Sequence, residues 1–174
     1  MTESISDLGE RAERLVQSKL EQLGFEVAPM GPRAHDYDMV AVKGEWKLSV
    51  QVKASRFKDP QIGNVTKFLK IDIINEPDEH VRQYVRGPRA LKHPGALWVW
   101  VLLLTGEEPT YSLMLEKDVQ DITHQLYDSW LKSHGNERPR NPYSLHSLMP
   151  YKELEKRKNN WPLLNELKES HAKS

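Results

Sequence analysis

Nine consecutive apolar residues, ALWVWVLLL at 96–104, set the centre of whatever this chain folds into. The run is far too short to cross a bilayer, which takes about 20 residues. It is rich in aromatic and β-branched side chains and is closed by Gly106. It therefore reads as a buried strand over 96–106. A chain of 174 residues is long enough to bury one sizeable core around it. EEPTYSLMLEK, which follows, gives a turn and a neighbouring antiparallel strand.

The first 55 residues read as one helix and three strands. Leu8, Ala12, Leu15, Val16, Leu20 and Leu23 recur at helical spacing over 7–23. Asp7 is the expected cap, with Glu10 in capping-box register, and Gly24 is the expected stop. FEVAP forms a short strand ended by Pro29, and MGPRAH is a loop. YDMVAV (37–42) and WKLSVQVKAS (46–55) form a hairpin turning at Gly44. In the second of these, Leu48, Val50, Val52 and Ala54 point one way, and Ser49, Gln51, Lys53 and Ser55 the other.

Residues 56–95 carry both periods. VTKFLKIDII fits a strand or a helix, and the segment after Pro77 reads as a short helix broken at Gly87-Pro88. Further on, DVQDITHQLYDSWLKSHG is amphipathic. Asp118 is its expected cap, its stripe is Val119, Ile122, Leu126, Trp130 and Leu131, and Gly135 ends it. A proline-rich connection leads to one or two short helices interrupted near Pro162. Trp98 and Trp100 are expected in the core, and Trp130 and Trp161 are expected to anchor the C-terminal helices. The expected organisation is a single domain: a core over 1–115 and a helical extension over 116–174 packed on it.

Twenty-five basic and 25 acidic residues cancel. That excludes a globally basic nucleic-acid binder but leaves room for a local basic groove. There are no cysteines, so no disulfide or thiolate metal site is possible. The seven histidines show no HxH or HExxH spacing, which argues against zinc. The polar, acidic N-terminus has no signal-peptide pattern. A soluble, cytoplasmic protein without membrane contacts is expected.

The hairpin concentrates the chemistry. Asp38 opens its first strand, while Gln51 and Lys53 share the polar face of the second, so the three can meet near one end. Glu13 lies at the edge of the helix stripe and can point to the same place. The bland alternative is a solvated polar strand face, with Glu13 a surface charge near Arg14 or Gln17.

GERAE (9–13), GFEV (24–27), YDMVAV (37–42) and VQVKAS (50–55) together resemble the motifs of the PD-(D/E)XK nuclease superfamily. The likeness is to small branches similar to Holliday-junction resolvases and intron-encoded endonucleases. It covers about the first third of the chain. It implies a restriction-endonuclease-like αβββαβ core with a mixed central sheet flanked by helices. That order needs a helix within 60–93 and a fourth strand at 97–103. It also implies a Mg²⁺- (or Mn²⁺-) dependent phosphodiesterase acting on DNA, with a homodimer possible because resolvase-like members often pair. Asp38 would match the first acidic position, Lys53 the lysine, and Glu13 the helical glutamate. Gln51 stands where the family usually has Asp or Glu, so the site carries one negative charge fewer. A hard cation takes oxygen ligands, so Asp38, Glu13 and the amide carbonyl of Gln51 form the implied metal set. The same fold with a decayed site, binding nucleic acid or protein without cutting, is the alternative. An unrelated α/β interaction domain is a further one.

Other polar residues are candidates for contact with nucleic acid. Ser55 shares the face of Lys53. Arg82, Arg86, Arg89 and Lys92, with His93, fall at near-helical intervals and would make a basic ridge along a phosphate backbone. Arg138 with Arg140, and Lys152 with Lys156, Arg157 and Lys158, form two more clusters, each equally readable as a solvated face. Asp36 is a possible second acidic ligand, and His35 a possible lining residue.

Overall fold

A computed structural model describes residues 3–30 and 37–171. They form two compact units that interleave along the chain. One draws on Met1–Pro60, Gly95–Leu115 and Pro150–Ser174, the other on Gln61–Pro94 and Glu116–Met149. Chain order alone, with a core to 115 and an extension after it, gives a different partition.

The first unit is built on helix α1 (Ile5–Gln22) and strands β1 (Glu26–Pro29), β2 (Met39–Lys43) and β3 (Trp46–Ser55). The helix starts earlier than its apolar stripe suggests. Ser4 is the cap, accepting the Asp7 N–H while the Asp7 side chain accepts the Ser4 N–H. Asp7 is thus the third residue of the box rather than the cap. Glu10 lies outside the box and pairs with Arg14. Gly44 turns the β2–β3 hairpin at φ 65°, a backbone state that favours glycine.

The nine-residue apolar run supplies strand β7 (Leu97–Leu102), and strand β8 (Thr110–Leu115) follows antiparallel to it. The sheet order is β1-β2-β3-β7-β8. All neighbours are antiparallel except β3 and β7, which run parallel. The fold class is therefore mixed α/β with a central mixed sheet flanked by helices, as the sequence led us to expect.

Alternation along β3 sorts the two faces of this sheet. Leu48, Val50 and Val52 join Leu97, Val99, Val101 and Leu113 in one apolar cluster with Ala12, Val16 and Leu20 of α1. Leu164 of helix α4 (Leu163–His171) belongs to the same cluster, with Trp161 packed against it. The opposite face carries Trp98 and Trp100, both buried. There the Ser112 hydroxyl donates to the Leu154 carbonyl of helix α3 (Tyr151–Glu155) at 2.8 Å.

The second unit departs most from the sequence reading. Instead of a helix, residues 61–88 give β4 (Gln61–Asn64), a 3₁₀ turn (Val65–Lys67), β5 (Leu69–Asn75) and β6 (Val81–Pro88). The β5–β6 pair is an antiparallel ribbon with an irregularity between Lys70 and Ile71. Val81 and Val85 suit a four-residue helical step and a two-residue strand step alike, so pairing with LKIDIIN decides the outcome. β9 (His146–Leu148), invisible in the sequence, pairs with β4.

Helix α2 (Glu116–Ser133) begins before Asp118, which therefore lies inside it. Its buried positions are Glu116, Val119, Gln120, Thr123, Tyr127 and Leu131. Of the apolar stripe read from sequence, Val119 and Leu131 are buried, Ile122 and Leu126 are half-buried, and Trp130, expected as an anchor, is exposed. Polar side chains on a buried face need partners. Gln120 donates to the carbonyls of Phe68 (2.9 Å) and Arg89 (2.7 Å), and Glu116 pairs with Lys67 at 3.1 Å. Among the described residues, no helix is long and apolar enough to cross a membrane.

Candidate active site

Asp38 sits just ahead of β2, with its backbone already in the ladder. Its N–H donates to the Val50 carbonyl at 3.0 Å, and its own carbonyl accepts the Met30 N–H at 2.8 Å. That fixes the root of the side chain between β1 and β3. The Asp38 Oδ2 then accepts the backbone N–H of Val52 at 2.6 Å. The same oxygen accepts a hydrogen bond from the Gln51 amide nitrogen. Asp38 and Gln51, brought together in the sequence reading only by hairpin geometry, are in direct contact.

Glu13 comes to this region from α1. It is half-buried and adjoins Ala12, which has no exposed surface. Its carboxyl is held above the ordinary carboxylate range, first by burial, then by the negative field of Asp38 and of Glu10, with Arg14 opposing. The Asp38 carboxylate is thus close enough to disfavour ionisation of Glu13.

This shift has a consequence for stability. A carboxyl whose pKa is raised by folding contributes stability that is complete below its unfolded value, near 4.5, and is lost as pH climbs through the folded value. At neutral pH in chelator, ionised Glu13 therefore opposes folding. Glu13→Gln is expected to raise Tm at pH 7 by about 1–2 °C, the effect being moderated by partial exposure. The two proteins should melt together at pH 4. Thermal scans at both values check this, and a lower Tm for the variant at pH 7 would contradict it.

Lys53 lies two residues beyond Gln51 on the same side of β3. Its Nζ is 5.6 Å from the centroid of the Trp98 ring, so the ammonium rests over an aromatic face. The parallel pairing that sets Gln51 beside Trp98 and Lys53 beside Trp100 brings this about. Hairpin reasoning missed both the Trp98 contact and the Val52 N–H. The first depends on a partner strand far away in sequence, and the second belongs to the backbone.

Among the described residues, no group of three or more histidines or carboxylates converges. A cation here would be held by two carboxylates and an amide. The donor chemistry fits a hard ion. Gln51 donates its NH₂ to the Asp38 carboxylate, and its amide carbonyl is the neutral oxygen such an ion would take. Two mutually repelling carboxylates also gain from a shared divalent ion. Mg²⁺ commonly takes one or two carboxylates and fills its shell with water and phosphate oxygens.

The expected nucleic-acid contacts fare differently. The Ser55 side chain is buried in a local turn, its hydroxyl donating to the Phe57 carbonyl and accepting the Phe57 N–H, each at 2.9 Å. In the second unit, Arg82 and Arg86 lie on β6, not on a helix. Arg82 pairs with Asp78 at 2.6 Å and Glu137 at 3.4 Å, and Arg86 pairs with Asp72 at 2.7 Å. Arg89 donates to the Leu69 carbonyl at 3.1 Å. The ridge expected from helical spacing is thus a strand edge with its charges largely neutralised. Asp36 and His35 lie outside the described residues.

No protein-family model matches the chain, and no curated protein matches it. Among solved structures, the fold is similar to that of a bacterial homing endonuclease, I-Ssp6803I. The TM-score is 0.54 at 14% sequence identity, and the match covers 97% of each chain.

Proposed function

We propose that this protein is a divalent-cation-dependent DNA endonuclease of PD-(D/E)XK type, with glutamine at the middle position of the motif. The observation that carries the reading is the Asp38–Gln51 contact, with Glu13 in the field of Asp38. Support comes from the four ordered motifs and from a fold similar to a homing endonuclease over nearly the whole chain.

In this reading Asp38, Glu13 and the Gln51 carbonyl would hold Mg²⁺ or Mn²⁺. Such an ion would supply Lewis-acid polarisation of a phosphoryl oxygen and a more acidic water. Lys53 supplies a positive charge where negative charge gathers on the non-bridging oxygens. The net change is hydrolysis: a water oxygen bonds to phosphorus, the bond to the leaving oxygen breaks, and that oxygen takes up a proton. The ammonium of Lys53, seated over Trp98, needs little reorganisation to do this. DNA is the substrate this reading assigns, and it is compatible with a homodimer.

The test is cleavage of supercoiled plasmid and of a branched junction with Mg²⁺ or Mn²⁺, comparing wild type with Lys53→Ala. Wild type is expected to cut, and the variant to lose about 10³-fold or more in rate. Equal behaviour of the two preparations, whether silent or active, would remove the nuclease reading and leave a binding module on the same fold.

A further inference from the structure

The second unit holds a cavity of ≈ 340 Å³ lined by Trp130, Arg138, Pro139, Arg140, Asn141 and Ser144. No lining residue is acidic. That contrasts with Arg11, Arg14, Arg56, Arg82, Arg86 and Arg157, which are each ion-paired to a carboxylate. Arg138 and Arg140 have no carboxylate partner among the described residues. Two uncompensated guanidinium groups thus share one cavity.

The site is also rigidly built. The Arg138 guanidinium carbon lies 5.3 Å from the Trp130 ring centroid and 5.7 Å from that of Tyr127. Its Nη1 donates to the Tyr127 hydroxyl at 3.0 Å and to the His146 carbonyl at 3.1 Å. One nitrogen is thus tied down, and the group lies against two aromatic rings. The loop behind it is held by Gln83, a fully buried side chain whose amide donates to the carbonyls of Pro142 (2.6 Å) and Ser144 (3.0 Å). A guanidinium anchored through one nitrogen offers its remaining N–H groups as a fork suited to phosphate. Trp130, 37% exposed and stacked on His134, adds an aromatic wall.

We infer that this cavity is a phosphodiester-binding site, with Arg138 and Arg140 gripping the backbone of a DNA strand and Asn141 and Ser144 offering neutral polar contacts. The choice of DNA rests on the proposed nuclease function, whereas the anion chemistry stands on the cavity alone. Binding is measured in EDTA, where cleavage cannot contribute, by fluorescence anisotropy of a labelled duplex across a salt series. The proteins are wild type, Arg140→Gln, Arg138→Lys and, as a control for generic charge loss, Lys47→Gln.

Arg140→Gln is expected to weaken binding about tenfold and to reduce the slope of log K against log salt by about 0.9. Arg138→Lys, which keeps the charge and loses the fork, is expected to weaken binding without that change in slope. Lys47→Gln should bind as wild type does. Arg140→Gln with unchanged affinity and slope would overturn the inference, as would equal losses in Lys47→Gln or no binding by wild type. A titration with inorganic phosphate alone, followed by tryptophan fluorescence, separates the two sources of the anion. Saturation by phosphate that leaves DNA affinity unaltered would overturn the DNA assignment. Failure of cleavage with the Arg140 effect intact would count against the nuclease reading and leave this site standing.

Discussion

Asp38→Ala is expected to abolish cleavage and lower stability together, whereas Asp38→Asn abolishes cleavage and leaves most of the stability. In the proposed reading the Asp38 carboxylate has two roles that one substitution confounds. It accepts the Val52 N–H at 2.6 Å, and that N–H belongs to a buried residue of a central strand. Alanine leaves the donor without its acceptor, a loss of about 1–3 kcal/mol. For a chain of this size that lowers Tm by roughly 2–4 °C per kcal/mol. Asparagine keeps an oxygen at the same reach, and the Gln51 amide can turn to meet whichever group faces it. Neither variant carries the negative charge that a hard cation needs, so both should lose about 10³-fold or more in cleavage. Both also remove the Asp38 field, which adds to burial in raising Glu13, so its titration should move down in each. Thermal melts, plasmid cleavage and a carboxyl titration by NMR read the three effects separately. Equal melting of the two variants would remove the structural role. Residual cutting by either would remove the catalytic one.

The contrast also shows what a sequence can disclose about such a site. The approach of Asp38 to Gln51 was legible because it is local: Gly44 fixes the turn, and alternation along the two strands then sets the register. Glu13 was legible because Leu8, Ala12, Val16 and Leu20 define the face it borders. The Lys53–Trp98 contact was not, since β3 and β7 pair across more than forty residues of intervening chain. That intervening chain was itself misread as partly helical. HVRQYVR satisfies either period, and only its pairing with LKIDIIN selects the strand. Helix α2 was found, with Val119 and Leu131 on its buried face, but that face was incompletely read, because counting apolar residues overlooks Glu116, Gln120 and Thr123. Each of these is buried and engaged: Glu116 by Lys67, Gln120 by two carbonyls, and Thr123 by the Val119 carbonyl at 2.6 Å.

The same polar burial underlies the second large effect. Gln83→Leu, close to volume-neutral, is expected to destabilise the second unit by about 3 kcal/mol or more. Gln83 has no exposed surface, and its carbonyl accepts the Tyr127 hydroxyl at 2.7 Å while its amide nitrogen holds two loop carbonyls. Leucine leaves two acceptors and one donor without their partners, each worth about 1 kcal/mol or more when buried. Filling the space does not restore them, so packing and hydrogen bonding are separated by this substitution. Gln83→Glu should be worse at neutral pH and partly recover in acid. Its ionised oxygens would face the Pro142 and Ser144 carbonyls, and protonation restores a donor to one of them. Hydrogen exchange locates the damage. Protection should fall over 136–145 and along β6, while β3 and β7, which belong to the other unit, keep theirs. Uniform loss of protection across both units would mean that they unfold as one body. Unchanged melting would mean that the loop carbonyls find water in place of Gln83.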